Sequence, residues 1–114
     1  MKRFIITLAG LTFLASAGIS AQDAKKAADG KKIYDQKECA KCHMIAGKGN
    51  KIGKLDGVAT KLSAADMRKW LTDPTQMEAK LDHKPKVKMS SKIKQMQLKD
   101  PDIDALIAYL ETLK

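Results

Sequence analysis

Apolar positions recur at helical spacing in three stretches of the chain. The clearest is the last, where Ile103, Leu106, Ile107, Leu110 and Leu113 stand at i, i+3, i+4, i+7 and i+10. On a helix these five share one side. Asp100 is placed to cap that helix and Pro101 suits its first position. Asp102 and Asp104 favour the positive end of its dipole and Lys114 the negative end. A second stripe, Leu62, Met67, Trp70 and Leu71, overlaps Ser63-Ala64-Ala65-Asp66, a start signal like a capping box with the shorter acid. Thr72-Asp73-Pro74 ends it, because the residue before a proline is driven out of helical geometry. The third stretch predicts a helix over Ala24–Glu38, with Asp23 as its cap and Ala27, Ile33 and Tyr34 on or near one stripe. Gly30 lies inside it. A mid-helix glycine costs about 1 kcal/mol against alanine, so it marks a place where another backbone comes close.

The intervening segments carry no such pattern. Met44 to Gly57 holds Gly47, Gly49, Gly53 and Gly57 with Asn50, Lys48, Lys51 and Lys54, and reads as loop with no strand alternation. A short helix is predicted within 74–81. Residues 82–94 form a basic irregular stretch, with Lys84, Lys86, Lys88, Lys92 and Lys94 around Pro85. Repeats are absent from the sequence. The expected class is all-α.

The first residues read as an export signal. Lys2 and Arg3 precede an apolar run from Phe4 to Leu14, and small residues follow from Ala15 to Ala21. That run is short for a membrane span of about 20 residues. Cleavage is expected after Ala21, with Ala17 as the alternative, dividing the chain into a signal peptide (1–21) and one domain (22–114). The product is expected in the periplasm with no stable membrane insertion. Lys and Arg number 22 against 13 acids, a formal net charge of +9. Loss of Lys2 and Arg3 leaves about +7. Beyond the signal only Tyr34, Trp70 and Tyr109 are aromatic, and a chain this small buries a modest core. A large flat apolar cofactor would complete such an interior.

The chemistry is concentrated in Cys39-Ala40-Lys41-Cys42-His43, which holds both cysteines of the chain. Cys-x-x-Cys-His is the attachment signature of a c-type haem. The two thiols are spaced to add across the two vinyl groups of one porphyrin, and His43 follows to bind the iron. Two rivals fare worse. A thioredoxin-like redox pair needs a βαβ setting that this pattern lacks. A zinc site needs four ligands, and beyond Cys39, Cys42 and His83 no second close pair exists.

One haem c per chain is therefore expected, bound through Cys39 and Cys42, with His43 as the proximal iron ligand. The opposite position decides function: a protein donor there makes an electron shuttle, a vacancy makes a binder of small molecules. Met44 adjoins His43 and belongs to the proximal side. Met67 lies on an apolar helical face, and Met77 and Met96 fit packing roles. Met89 sits in the extended Lys-Pro-Lys-Val-Lys-Met run, where helix packing gives it no task, far enough along the chain to return to the distal face. Met89 leads; Met96, Met77 and His83 stay open.

With these residues in place, the chain resembles the class I monohaem cytochromes c, of the small bacterial periplasmic type, over nearly all of residues 22–114. Gly30-Lys31-Lys32-Ile33-Tyr34 resembles the family's N-terminal helix, whose glycine and aromatic meet the C-terminal helix, here Ala108-Tyr109-Leu110. Leu55-Asp56-Gly57-Val58 and the Trp70-Leu71 helix are similar too, and the family's Pro-x-x-x-Met loop falls on Pro85 and Met89. The resemblance implies a fold of three to five helices around one covalent haem, ligated by His43 and Met89. Two departures stand out. Gly53 is followed by Lys54 where the family usually has a proline whose carbonyl holds the proximal histidine, which leaves another carbonyl to orient His43. Ser90, Ser91 and Lys92 replace the proline and aromatic common after the ligand methionine.

The expected function is a soluble periplasmic electron carrier cycling between Fe(III) and Fe(II), not an enzyme. The alternative is a small-molecule-binding or peroxidatic haem protein with an open sixth position; a third is a subunit docked on one oxidoreductase. Lys41, Lys48 and the lysines around Met89 predict redox partners with acidic docking surfaces. No nucleic acid is expected as a partner, and the state is expected to be a monomer or weak dimer.

Overall fold

A computed structural model describes residues 20–114, and the expected signal peptide falls almost wholly outside them. Helix α1 (Ala21–Gln36) is followed by a single 3-10 turn at Cys39–Lys41 and three very short strands. These are β1 (His43–Ile45), β2 (Lys48–Gly49) and β3 (Gly53–Lys54). Five helices complete the chain: α2 (Val58–Lys61), α3 (Ala64–Thr72), α4 (Pro74–Glu78), α5 (Ser90–Met96) and α6 (Asp100–Leu110). The architecture is mostly helical, as expected.

Gly30 does what its cost implied. A Cβ built there would lie 1.9 Å from the Ala105 carbonyl oxygen and 2.8 Å from the Tyr109 Cβ. Helices α1 and α6 therefore touch backbone to backbone at this point. One turn on, Tyr34 and Tyr109 meet edge to face, ring centroids 5.8 Å apart. Tyr34 is buried. The predicted stripe of α6 supplies the rest of the interior: Ile103, Ile107 and Leu110 cluster with Val58 and Met67, and Leu55, Leu62, Leu71, Leu98 and Leu113 pack around them. Met67 is only 2% exposed, a core methionine as its helical face required.

Capping explains where the helices start. Ser63 Oγ accepts the Asp66 amide at 3.1 Å to open α3, and Asp73 before Pro74 closes it. Two predicted caps move. In the full chain Ser20, on the leader side of the expected cleavage, accepts at the head of α1 from the Asp23 amide, so the helix there begins at Ala21 rather than Ala24. Helix α6 is capped at Lys99 rather than Asp100, because the Asp102 carboxylate reaches back to the Lys99 amide at 3.1 Å. Pro101 consequently occupies the second helical position.

Two further expectations are corrected. The glycine-rich loop contains a three-stranded sheet, order β2-β1-β3, with β1 antiparallel to β2 and parallel to β3. Strands of two or three residues are too short to show alternation, so the sequence pattern missed them. The basic stretch 82–94 is irregular only to Lys88. Met89 is already in helical geometry (φ −62°, ψ −34°) and α5 follows it, so Met89 stands at a helix entrance, not in an extended run.

Candidate functional site: the Cys39–His43 turn

The site begins where α1 ends. The Ile33 carbonyl accepts from the Lys37 amide, and Glu38 takes a left-handed conformation (φ 55°) that turns the chain out of the helix. The turn Cys39–Lys41 closes with the Cys42 amide on the Cys39 carbonyl at 3.1 Å. Both cysteines are half-buried free thiols. Burial pushes the Cys39 thiol up to about 11. A redox dithiol has the opposite tendency, a depressed thiol that attacks as thiolate. Among the described residues no group of three or more His, Cys, Asp or Glu side chains is placed to hold a metal ion.

His43 opens β1, and the small sheet exists around it. Register pairs His43 with Gly53 across the parallel β1–β3 ladder. The Gly53 amide donates to the Cys42 carbonyl at 3.0 Å and the Leu55 amide to the Met44 carbonyl at 2.9 Å, so β3 is fixed on either side of His43. On the other flank Asn50 donates to the carbonyls of Ala40 and His43. Gly49, at φ +108°, lies so close to the His43 carbonyl that a Cβ would stand 2.0 Å from its oxygen. Asp56 Oδ1 accepts the Ala46 amide at 2.8 Å and ties the loop to the start of α2.

The imidazole itself is held by one bond. His43 Nδ1 lies 3.0 Å from the Gly53 carbonyl oxygen. A carbonyl only accepts, so Nδ1 carries the proton and Nε2 is left with its lone pair. Burial pushes the His43 pKa down, against the pull of the Gly53 bond, which keeps the ring neutral. Gly53 also has to be a glycine: a Cβ there would stand 2.8 Å from Nδ1. The sequence pointed to a carbonyl other than a proline's, and this is it. Gly53 was visible in the sequence only as one loop glycine among four.

Tyr34 adds a long contact, its hydroxyl donating to the His43 carbonyl at 3.5 Å. Met89 is half-buried at the entrance to α5. Its neighbour Ser90 is gripped by Glu78, whose two carboxylate oxygens accept from the Ser90 amide and hydroxyl, each at 2.8 Å. Sequence reasoning passed over Glu78; its only signal was an acid closing α4 ahead of a lysine-rich loop. Of the other methionines weighed, Met77 is buried in α4 and Met96 closes α5 half-buried. His83 is exposed in the loop between α4 and α5.

No curated protein and no solved structure matches the chain. The family model described as Cytochrome c matches residues 27–114, from the middle of α1 to the final residue and across the whole turn just described. With that match spanning most of its length, the chain belongs to the cytochrome c family, whose members carry covalently attached haem c and transfer electrons.

Proposed function

We propose that this protein is a periplasmic electron carrier, with haem c joined through thioether links to Cys39 and Cys42 and its iron held by His43 and Met89. The observation that carries the reading is the 3.0 Å contact of His43 Nδ1 with the Gly53 carbonyl. It leaves Nε2 as a free donor on the residue directly after Cys42. The donor set fits the group: two unpaired thiols one turn apart, a neutral imidazole with one nitrogen committed, and a thioether at a helix entrance. Haem c, when bound, supplies the one-electron Fe(III)/Fe(II) couple.

The chain's own residues do the remaining work. Gly53 raises the basicity of Nε2 by accepting from Nδ1 and fixes the ring plane, as a carbonyl behind a ligating histidine does. Met89 would contribute a soft neutral donor, which favours the reduced state relative to a second histidine. With His43 and Met89 both holding the iron, the chain would have little to reorganise on electron transfer.

Exposed apolar side chains have lysines as sequence neighbours in two loops: Lys48, Lys51 and Lys54 flank Ile52, 57% exposed, and Lys84, Lys86 and Lys88 flank Val87, 37% exposed. Exposed apolar side chains among lysines suit an acidic redox partner that is steered in and released quickly, over less than about 1,200 Å² of buried surface. Among the described residues no helix is long and apolar enough to cross a membrane. Export rests on the leader pattern of residues 1–21.

The test is a reduced-minus-oxidised spectrum of protein produced with haem-attachment machinery, then a redox titration. Covalent haem that survives acid-acetone extraction, with the far-red thioether-to-iron charge-transfer band in the ferric state, is the expected result. Met89→Ala should abolish that band and lower the potential. A colourless extracted polypeptide would refute the reading as a whole, and an unaltered band in Met89→Ala would reject Met89.

A further inference from the structure

Helix α5 has seven residues and follows Met89 directly. A helix this short does not persist by itself, because nucleation fixes several dihedrals for one hydrogen bond. Side chains from elsewhere hold both of its ends. At the entrance, Glu78 accepts from the Ser90 amide and hydroxyl, each at 2.8 Å. At the exit, Lys37 Nζ donates to the Met96 carbonyl at 2.8 Å. A carboxylate at the first turn and an ammonium at the last satisfy backbone groups that the helix leaves unpaired, and both signs match its dipole.

Neither tie is local. Glu78 stands 12 residues before Ser90, and Lys37 stands 59 before Met96. Glu78 thus closes the base of the 79–89 loop, in which Lys80, Lys84, Lys86 and Lys88 repel one another and Asp82 is the one acid. Lys37 lies two residues before Cys39, on the segment that leads into the Cys39–His43 turn. At 1.5 Å of rise per residue, Met89 is about 10 Å along the helix from that tie. The position of Met89 relative to the turn therefore depends on α5 acting as a strut with both ends fixed.

Resting on the reading of Met89 as distal ligand, we propose that Glu78 and Lys37 are positioning residues for it. They clamp the two ends of α5 and so set where the Met89 thioether stands relative to His43. Neither residue is assigned to the iron itself. Release of either end lets the loop swing Met89 away and opens the distal position to outside ligands.

The test uses the haem-loaded ferric protein, with imidazole as the competitor for the place held by Met89. Loss of the far-red band against imidazole concentration gives the affinity, and a redox titration gives the potential. Glu78→Ala should bind imidazole about tenfold more tightly than the parent, the scale of losing hydrogen bonds to a charged group. Glu78→Gln should fall between the two, since its carbonyl still accepts, and Lys37→Met should shift in the same direction as Glu78→Ala. Both potentials should drop. Ser63→Ala serves as control: it removes a cap remote from α5 and should lower the unfolding midpoint with no change in imidazole affinity. If Met89→Ala loses the band while Glu78→Ala and Lys37→Met keep the parent's affinity and potential, the clamp is refuted and the Met89 assignment stands. If Met89→Ala keeps the band, both fall together.

Discussion

Replacing Gly30 by alanine sets two physical effects of opposite sign against each other. Propensity alone favours the variant, since alanine in a helix interior gains about 1 kcal/mol over glycine. Packing opposes it. The new Cβ would stand 1.9 Å from the Ala105 carbonyl oxygen, 2.6 Å from the Ala105 carbonyl carbon and 2.8 Å from the Tyr109 Cβ. Two of these atoms are backbone, so no rotamer change relieves the clash; α1 and α6 must separate by more than about 1 Å to reach ordinary contact. Overpacking of this kind costs about 1–3 kcal/mol. The same separation loosens the edge-to-face contact of Tyr34 and Tyr109, a pair worth about 0.5–1.5 kcal/mol. With the rigid backbone placing the clash at the upper end, the net loss is about 3 kcal/mol. Urea unfolding of the haem-loaded protein, followed by far-UV circular dichroism, measures it. A midpoint equal to or above that of the parent would mean that the α1–α6 contact is not as close as described.

Gly53→Ala should push the His43 ring off the Gly53 carbonyl, lowering the reduction potential and the yield of correctly ligated haem; an unchanged potential and spectrum would show that Nδ1 needs no such partner. Ser63→Ala removes the acceptor for the Asp66 amide and should cost about 1 kcal/mol, read as a lower unfolding midpoint. The double variant Lys86→Glu, Lys88→Glu should slow electron transfer to an acidic partner at low salt and flatten its ionic-strength dependence; identical salt profiles would remove this loop from the docking surface. Burial pushes the Tyr34 phenol up to about 12. Its raised value means that the stabilisation is complete below the ordinary tyrosine range near pH 10 and is lost as pH rises toward 12. Ultraviolet titration of the parent against Tyr34→Phe should show one late-ionising phenol disappear; loss of an ordinary one would contradict the buried setting.

What could be known before any coordinates divides along a physical line. The Cys39–His43 motif, the α6 stripe, the Ser63 start and the cost of Gly30 were legible because each rests on spacing within one segment. Local geometry follows from local covalent rules, so three residues at the right interval predict a helical face or a ligand pair. Helix α5 was hidden because seven residues are too few to show an apolar stripe or to persist alone; it is held by Glu78 and Lys37, which belong to other parts of the chain. The sheet was hidden likewise, since strands of two or three residues have no pattern to show. Above all, the amino-acid order shows that His43 follows two cysteines, but not which of its nitrogens is free. That is decided by the Gly53 carbonyl, brought 3.0 Å from Nδ1 by strand pairing across ten residues. A carbonyl has no identity in the sequence, because every residue owns one. Only the folded backbone selects which of them meets the ring.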